Sequence, residues 1–319
     1  MTDESKTVFN NYQVRKTGSQ KTAFIEYVKQ FAEGKGYKFN VEKGSFGLRN
    51  IVIGDPDNAK VVFTAHYDTC PVLPFPNFIT PKKIVYYVLY QLLITVGLIA
   101  AAIGGASLIT FLITAALTAL SVPEIAIKAV EMLIWEAVYF GVLALVLFGP
   151  ANKHTANDNT SGVITLMEIM ADMPEAAKDR FAFVFFDLEE TGLFGSSDFA
   201  KKHGNTMKNK LLINFDCVSD GNNILLVLKK DAAGFAPLLE KCFTSNETFN
   251  VDIRSKGVFY PSDQAKFPCG VGVAALKYSE RLKTEYMDRI HTPKDTVFEE
   301  ANVQFLKSCV LKLVNELTN

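Results

Sequence analysis

Helical and extended patterns of apolar residues alternate along most of the chain. Residues 18–34 carry Phe24, Tyr27, Val28 and Phe31 at helical spacing and end near Gly34 and Gly36, which predicts an amphipathic helix. Val61–Ala65 is a short unbroken apolar run that leads into a polar loop, the signature of a buried strand. Residues 159–172 read as a helix with Asp158 or Asn159 at its N-cap. Phe181–Phe186 (FAFVFF) is the clearest core strand; a glycine-containing loop and a helix near 196–203 follow it. Leu211–Phe215, Ile224–Leu228 and Val271–Leu276 read as further strands, and 299–317 as a closing helix. This alternation predicts an α/β three-layer sandwich with a mostly parallel mixed central sheet flanked by helices.

One stretch departs from the pattern. Residues 84–148 hold only four charged side chains, Glu124, Lys128, Glu131 and Glu136, and Ile84 to Pro123 has none at all. The expected organisation is therefore one domain built from 1–82 and 150–319, interrupted by inserted hydrophobic helices over 83–149. That insert is either a membrane hairpin or a helical cap. The uncharged run is about twice the length needed to cross a hydrocarbon core of ~30 Å.

Outside the insert the charge density is that of an ordinary soluble domain. The whole chain of 319 residues balances 33 basic against 34 acidic side chains, a formal charge of −1. With no basic excess to neutralise phosphates, nucleic acid is excluded as the expected partner. The first twenty residues are polar and contain no apolar core of a secretory signal. Five cysteines, an odd number with no CxxC pair, favour a reducing compartment.

Polar residues cluster just beyond the ends of the apolar runs. His66 and Asp68 follow the first strand, Glu189 and Glu190 follow FAFVFFDL, and Asp216 closes LLINFD. Ligands of open α/β sheets bind outside the carboxyl ends of the strands, so these groups can converge in one crevice. Asp158 in HTANDNTSG and His291 in RIHTPKDT add a further acid and imidazole. Burying that many carboxylates without counter-charge costs several kcal/mol per ion. Two divalent cations would remove the cost, and a thiolate-free set of His and carboxylate suits Zn²⁺, with Mn²⁺ or Co²⁺ as substitutes.

Taken one at a time these residues have ordinary explanations: an HxD pair on a surface, a solvated Glu-Glu face, an aspartate at a helix cap or turn. In order, HYD (66–68), NDNTSG (157–162), Glu189-Glu190, FDCVS (215–219) and IHTPKDT (290–296) resemble a single family. It is the zinc-dependent exopeptidase family of bacterial leucyl aminopeptidases, aminopeptidase Y and the glutamate carboxypeptidase II catalytic domain. The likeness spans about 15–80 and 150–317. It implies two Zn²⁺ per chain, bridged by Asp158. His66 and Glu190 would go to separate ions, with Asp216 and His291 completing the shells. Glu189 would be the general base, and Asp68 would fix the tautomer of His66. Some relatives place an oxyanion-steadying tyrosine where Arg289-Ile290 stand here, leaving Tyr260, Tyr278 or Tyr286 as substitutes. Asp263 and Asp295, also in family-like segments, would support the ligands or fix loops. His154 and His203 read as surface histidines, Asp187 as a strand-end residue, and Cys70 and Cys217 as small buried fillers.

The resemblance implies a metal-dependent aminopeptidase acting on short peptides. The rival readings are a glutaminyl-cyclase-like acyltransferase with one zinc and a non-hydrolytic membrane-bound binding protein. In the family the segment between the HxD and bridging-aspartate motifs is short, whereas here it is opened by about 65 residues. Because His66 precedes and Asp158 follows the insert, the number of membrane crossings must be even. The expected arrangement is two helices, about 84–103 and 126–148, joined by an apolar connector or re-entrant piece over 106–120. A hairpin of 84–103 with 106–122 is the second choice. Lys82, Lys83 and Lys153 flank the insert against Lys128 beyond it, which points the catalytic domain to the cytoplasm, with a soluble cytoplasmic protein as the alternative. The oligomeric state is not readable from the sequence.

Overall fold

The computed structural model describes residues 1–319. Its chain divides into two compact units, Met1–Ile84 with Ala151–Asn319, and Val85–Pro150. The first unit is a mixed α/β fold around one nine-stranded sheet. The strands are β1 (Phe39–Lys43), β2 (Arg49–Ile53), β3 (Val61–His66), β4 (Phe181–Phe186), β5 (Leu211–Phe215), β6 (Asn223–Leu228), β7 (Asn250–Arg254), β8 (Gly270–Ser279) and β9 (Thr284–Tyr286). They lie in the order β1-β2-β4-β3-β5-β8-β6-β7, with β9 on β8.

The sheet centre is parallel: β4, β3, β5 and β8 run the same way, and β6 with β7 forms another parallel pair. Antiparallel pairings join β1 to β2, β2 to β4, β6 to β8 and β8 to β9. A strand covered on both faces must be apolar on both, which is why β4 reads as an unbroken hydrophobic run. Phe181, Phe183 and Phe185 enter the larger core on one face, while Ala182, Val184 and Phe186 enter the smaller core on the other. Strands β3 and β5 divide the same way, with Val61, Phe63, Leu211 and Ile213 in the larger core and Val62 and Leu212 in the smaller.

The helices of this unit are α1 (Asp3–Asn11), α2 (Gly18–Gly34), α5 (Gly162–Asp172), α6 (Phe194–Lys202), the short α7 (Gly204–Met207), α8 (Ala236–Cys242) and α9 (Glu300–Thr318). Helix α2 occupies the predicted residues. It opens on a reciprocal cap in which Thr17 Oγ1 accepts from Gln20 N–H at 3.3 Å and Gln20 Oε1 accepts from Thr17 N–H at 2.9 Å. Helix α5 starts three residues later than predicted. Its N-cap is Ser161, with no side-chain cap, rather than Asp158 or Asn159; Asn159 Oδ1 instead accepts from Gly162 N–H at 3.0 Å. That difference frees the Asp158 carboxylate.

The second unit is a pair of long helices, α3 (Ile84–Ala119) and α4 (Glu124–Phe148). At 1.5 Å per residue they are about 54 and 38 Å long. Both are long and apolar enough to cross a membrane by length and composition. Neither arrangement expected for 84–122 is observed, since α3 runs without interruption through Gly104-Gly105 and the supposed connector. The energetics favour continuity. Two helical glycines cost ~1 kcal/mol each, whereas a break there gives up several intrahelical hydrogen bonds worth ~0.5–1.5 kcal/mol apiece. The unit buries almost nothing of its own: within its two helices only Ala106 and Ile127 are buried. Across the hairpin Thr114 Oγ1 donates to Glu131 Oε1 at 2.9 Å. All the protein's exposed large hydrophobic side chains except Phe46, Phe194, Phe259 and Tyr278 lie between Ile84 and Phe148.

Candidate metal centre

The parallel centre of the sheet sets the site. β3, β4 and β5 leave the sheet at the same edge, in register, with His66 opposite Phe186 and Thr64 opposite Asn214. The residues that follow them are therefore neighbours: His66 at the end of β3, Glu189 and Glu190 in the turn after β4, and Asp216 after β5. Asp158 arrives from the irregular turn 156–161 ahead of α5, through a cis peptide to Asn159.

Two asparagines flank Asp158 and bind that turn to the exit of β5. Asn159 Nδ2 donates to Phe215 O at 3.0 Å, and Asn157 Oδ1 accepts from Ser219 N–H at 2.8 Å and Asp220 N–H at 3.1 Å. On the other side Asp295 accepts from the N–H groups of Asn157 and Asp158 at 2.8 and 3.0 Å. Its expected loop-fixing role is what the geometry displays.

Asp158 stands between the two histidines. Oδ1 lies 3.1 Å from His66 Nε2, and Oδ2 lies 3.0 Å from His291 Nε2. His66 Nε2 is also 3.5 Å from Asp216 Oδ1, and His291 Nε2 is 3.1 Å from Glu190 Oε2. Two donor groups result, each within 4.8 Å: His66, Asp158 and Asp216 on one side, and Asp158, Glu190, His291 and Cys70 on the other. Glu189 joins His66 and Glu190 in a third group of the same size. Asp68 accepts from the N–H groups of Glu189 and Glu190 at 3.0 and 3.2 Å. It faces His66 Nδ1 only at 3.5 Å, so its firm hold is on the Glu189-Glu190 turn.

The cluster is short of positive charge. Burial, reinforced by Glu190, Asp263 and Asp216, pushes the Glu189 carboxyl well above the usual range. Burial and Asp158 raise Glu190 as well. Burial pushes Asp263 up to about 7, and neither of its oxygens has a hydrogen-bond partner. Burial and the charge of Asp158 push Asp295 up to about 8. Both histidines are raised against their own burial, His66 by Glu189 and Asp158 and His291 by Glu190 and Asp158. His66 Nδ1 and Glu190 Oε1 are buried without partners. Ligand atoms ~2.0–2.2 Å from a tetrahedral zinc stand roughly 3.3 Å apart, close to the separations on both sides of Asp158. The residues present thus fit two divalent cations.

Residues that the sequence did not single out complete the surroundings. Arg15, fully buried between α1 and α2, donates through Nε to Tyr67 O and through one Nη to Tyr12 O and Thr160 Oγ1. Its guanidinium lies against the floor of the cluster, and burial lowers its pKa to about 10 despite Asp68 and Asp158. Lys21 forms a buried ion pair with Asp187, which also accepts from Arg49 N–H at 3.0 Å. A single basic residue in a polar stretch carries no spacing signal, so neither cation was legible.

Of the three tyrosines considered, Tyr260 is the buried one at this end, its hydroxyl donating to Asp216 O at 3.0 Å. Tyr278 is exposed, and Tyr286 lies on β9 under Lys277. His154 is a surface residue. His203 is not a bare surface histidine: its ring nitrogens meet Asp57 Oδ1 and Glu42 Oε1, each at 2.9 Å. A cleft of about 680 Å³ adjoins the His291 loop, lined by Val72, Leu73 and Phe75 and by Asp288, Arg289 and Lys294. Leu73 N–H donates to His291 O at 2.7 Å and ties its two walls together.

A mixed α/β sheet with a His-carboxylate cluster at its carboxyl edge is the architecture of a metal-dependent enzyme of the α/β class. Peptidase family M28 matches residues 139–313, more than half of the sequence, and the chain belongs to that family. The matched span contains Asp158, Glu189, Glu190, Asp216 and His291, while His66 and Asp68 precede it. No curated protein matches the chain.

Among solved structures the fold is similar to a glutaminyl cyclase of Porphyromonas gingivalis, at 13% identity and a TM-score of 0.60, covering 98% of this chain and 97% of that one. It is also similar to a Fimbriiglobus ruber glutaminyl cyclase, at 15% identity and a TM-score of 0.51 over 98% and 93% of the two chains. A TET aminopeptidase from a Thaumarchaeota archaeon matches at 11% identity and a TM-score of 0.50 over 99% and 98%. At these identities the likeness is one of fold.

Proposed function

We propose that the protein is a membrane-anchored aminopeptidase that hydrolyses the N-terminal peptide bond of short peptides at a two-zinc centre. The observation that carries this reading is Asp158, whose two oxygens face two different histidines at 3.0–3.1 Å. A carboxylate so placed is suited to bridging. His66 and Asp216 would hold one ion and Glu190 and His291 the other, with Mn²⁺ or Co²⁺ as substitutes. Bound there, the metals would polarise the scissile carbonyl and make water acidic enough to attack it.

The remaining chemistry belongs to the chain. Glu189, beside His66 and Glu190, takes the proton from the attacking water and returns it to the leaving amine. Asp68 anchors the turn that carries Glu189, fixing its reach through two backbone N–H groups. Arg15 and Asp295 hold the loops of His66 and Asp158 in place from behind. The cleft adjoining the His291 loop, apolar with Asp288, Arg289 and Lys294 among its lining, would take the side chain next to the scissile bond.

The anchor is the second unit, through which the partner would be a lipid bilayer. Apolar side chains cover its surface, and a soluble cap would have to bury them elsewhere. Tyr86, Tyr87 and Tyr90, just after Lys82 and Lys83, suit the interfacial belt. Both ends of the hairpin return to the first unit, which requires an even number of crossings. Lys83 and Lys153 at those ends favour a cytoplasmic catalytic unit, whereas Lys82 is already paired with Asp252 and Glu285. Retention of the full chain in the membrane pellet after alkaline carbonate washing supports the anchor, and its release contradicts it.

The test of activity is hydrolysis of aminoacyl-anilides by detergent-purified protein, before and after chelation and with zinc restored. Metal-dependent release of unblocked residues, with none from acetylated substrates, is the expected result. Silence on the panel together with cyclisation of N-terminal glutamine would favour the second reading, an acyltransferase of the glutaminyl-cyclase kind, which the full-length fold similarity recommends. Intact Glu189 argues against a mere binding protein, because binding needs no general base.

A further inference from the structure

Cys70 has no part in the chemistry above, yet its position is not that of a filler. It is fully buried and free of any disulfide, and its thiol makes no hydrogen bond. Its Sγ lies within 4.8 Å of donor atoms from Asp158, Glu190 and His291, which are themselves mutually that close. Glu190 Oε1, in the same group, is buried and unpartnered. Cys217, the other cysteine near the site, differs: its S–H donates to Asp216 Oδ1 at 3.1 Å. One cysteine is thus engaged as a hydrogen-bond donor, while the other faces a half-built donor shell with nothing to bind.

We propose that Cys70 is a fourth, thiolate ligand of the metal held on the His291 side, so that this ion has the shell Cys70, Asp158, Glu190 and His291. The inference rests on the two-metal reading and makes the two positions chemically unequal. Four protein donors fill a tetrahedral zinc shell, whereas the His66, Asp158 and Asp216 side has three and keeps a position open for water or substrate. A thiolate also selects zinc or cadmium over manganese on the His291 side, leaving the all-nitrogen-and-oxygen side the more permissive one. Binding replaces the S–H bond by a metal–sulfur bond, and the proton goes to solvent.

The deciding measurement is X-ray absorption at the zinc edge on the full chain, purified in detergent and loaded with zinc. A zinc–sulfur shell at about 2.3 Å is expected, lost in Cys70→Ser and kept in Cys217→Ser. In the cobalt-substituted protein the same ligand gives a near-ultraviolet sulfur-to-metal charge-transfer band that Cys70→Ser removes. Competition with a chelator should show one of the two zinc ions of Cys70→Ser held more than about tenfold less tightly, a loss that even indirect supports of ligands can cause. Zinc bound through nitrogen and oxygen alone in the unsubstituted protein overturns the proposal, and so does a sulfur shell that disappears only in Cys217→Ser. The first of these outcomes does not depend on any variant folding. A protein that takes up no zinc would contradict the underlying metal-centre reading instead.

Discussion

Asp158 shows how much a single position depends on its neighbours in sequence. It lies in a run of six buried polar or small residues, 156–161, whose other polar members spend their hydrogen bonds on the turn and on the exit of β5. That expenditure leaves its two oxygens to the histidines, which hold the carboxyl below its usual range against the penalty of burial. Glu189 is the opposite case, an acid raised by burial and by like charges, and a base once the cluster gains cations. Glu189→Gln should lower kcat by about 10²–10⁴-fold while metal content by mass spectrometry stays unchanged; near-normal turnover would remove Glu189 from the role of base.

His203 makes a separate residue-scale claim about stability. Its hydrogen bond to Glu42, and then that to Asp57, raise its pKa. A histidine raised on folding stabilises fully below its unfolded pKa, near 6.5, and loses the contribution as pH rises through the folded value. His203→Gln should therefore cost up to ~1 kcal/mol at pH 5.5 and markedly less at pH 9, read from denaturation midpoints. An equal loss at both pH values would contradict the ion-pair account. The candidate residues carrying a motif were legible because their types and order are chemically restrictive. Arg15 was not, since one buried cation has meaning only once its neighbours in space are known.

At the scale of elements, the candidate cluster exists because α5 presses its first turn against the end of β5. Gly162 permits this: a Cβ there would stand 2.3 Å from Phe215 O and 2.4 Å from Asn159 Oδ1. Gly162→Ala must push the Asp158 turn away from the exit of β5, so zinc affinity should fall at least tenfold, measured by chelator competition. Unchanged affinity would mean that the turn is not positioned by this contact. The central strands were readable from the sequence because burial on both faces makes them continuously apolar. β1, β2 and β7 went unread: they are short, lie near the sheet edges and mix polar with apolar positions. The helix through Gly104-Gly105 was misjudged because glycine punctuates helices in water, where freed backbone groups find a partner. In a lipid bilayer, the proposed surroundings of this unit, they would not.

For the whole molecule, the same sequence encodes two units of opposite surface character. One places more than sixty buried hydrophobic side chains around a sheet, and the other leaves most of its large hydrophobics exposed. The chain reaches His66 before the hairpin and Asp158 after it, so a metal centre shared by both must be assembled across an insertion of about 65 residues. The family M28 match covers all of that centre except His66 and Asp68, which β3 brings in by geometry. The central claim is that Asp158 bridges two ions. Zinc counted per chain in the purified, saturated protein tests it most directly. Two per chain is the result this account predicts. One per chain would contradict the bridge and turn the site toward cyclase-like chemistry, and none would contradict the metal centre itself.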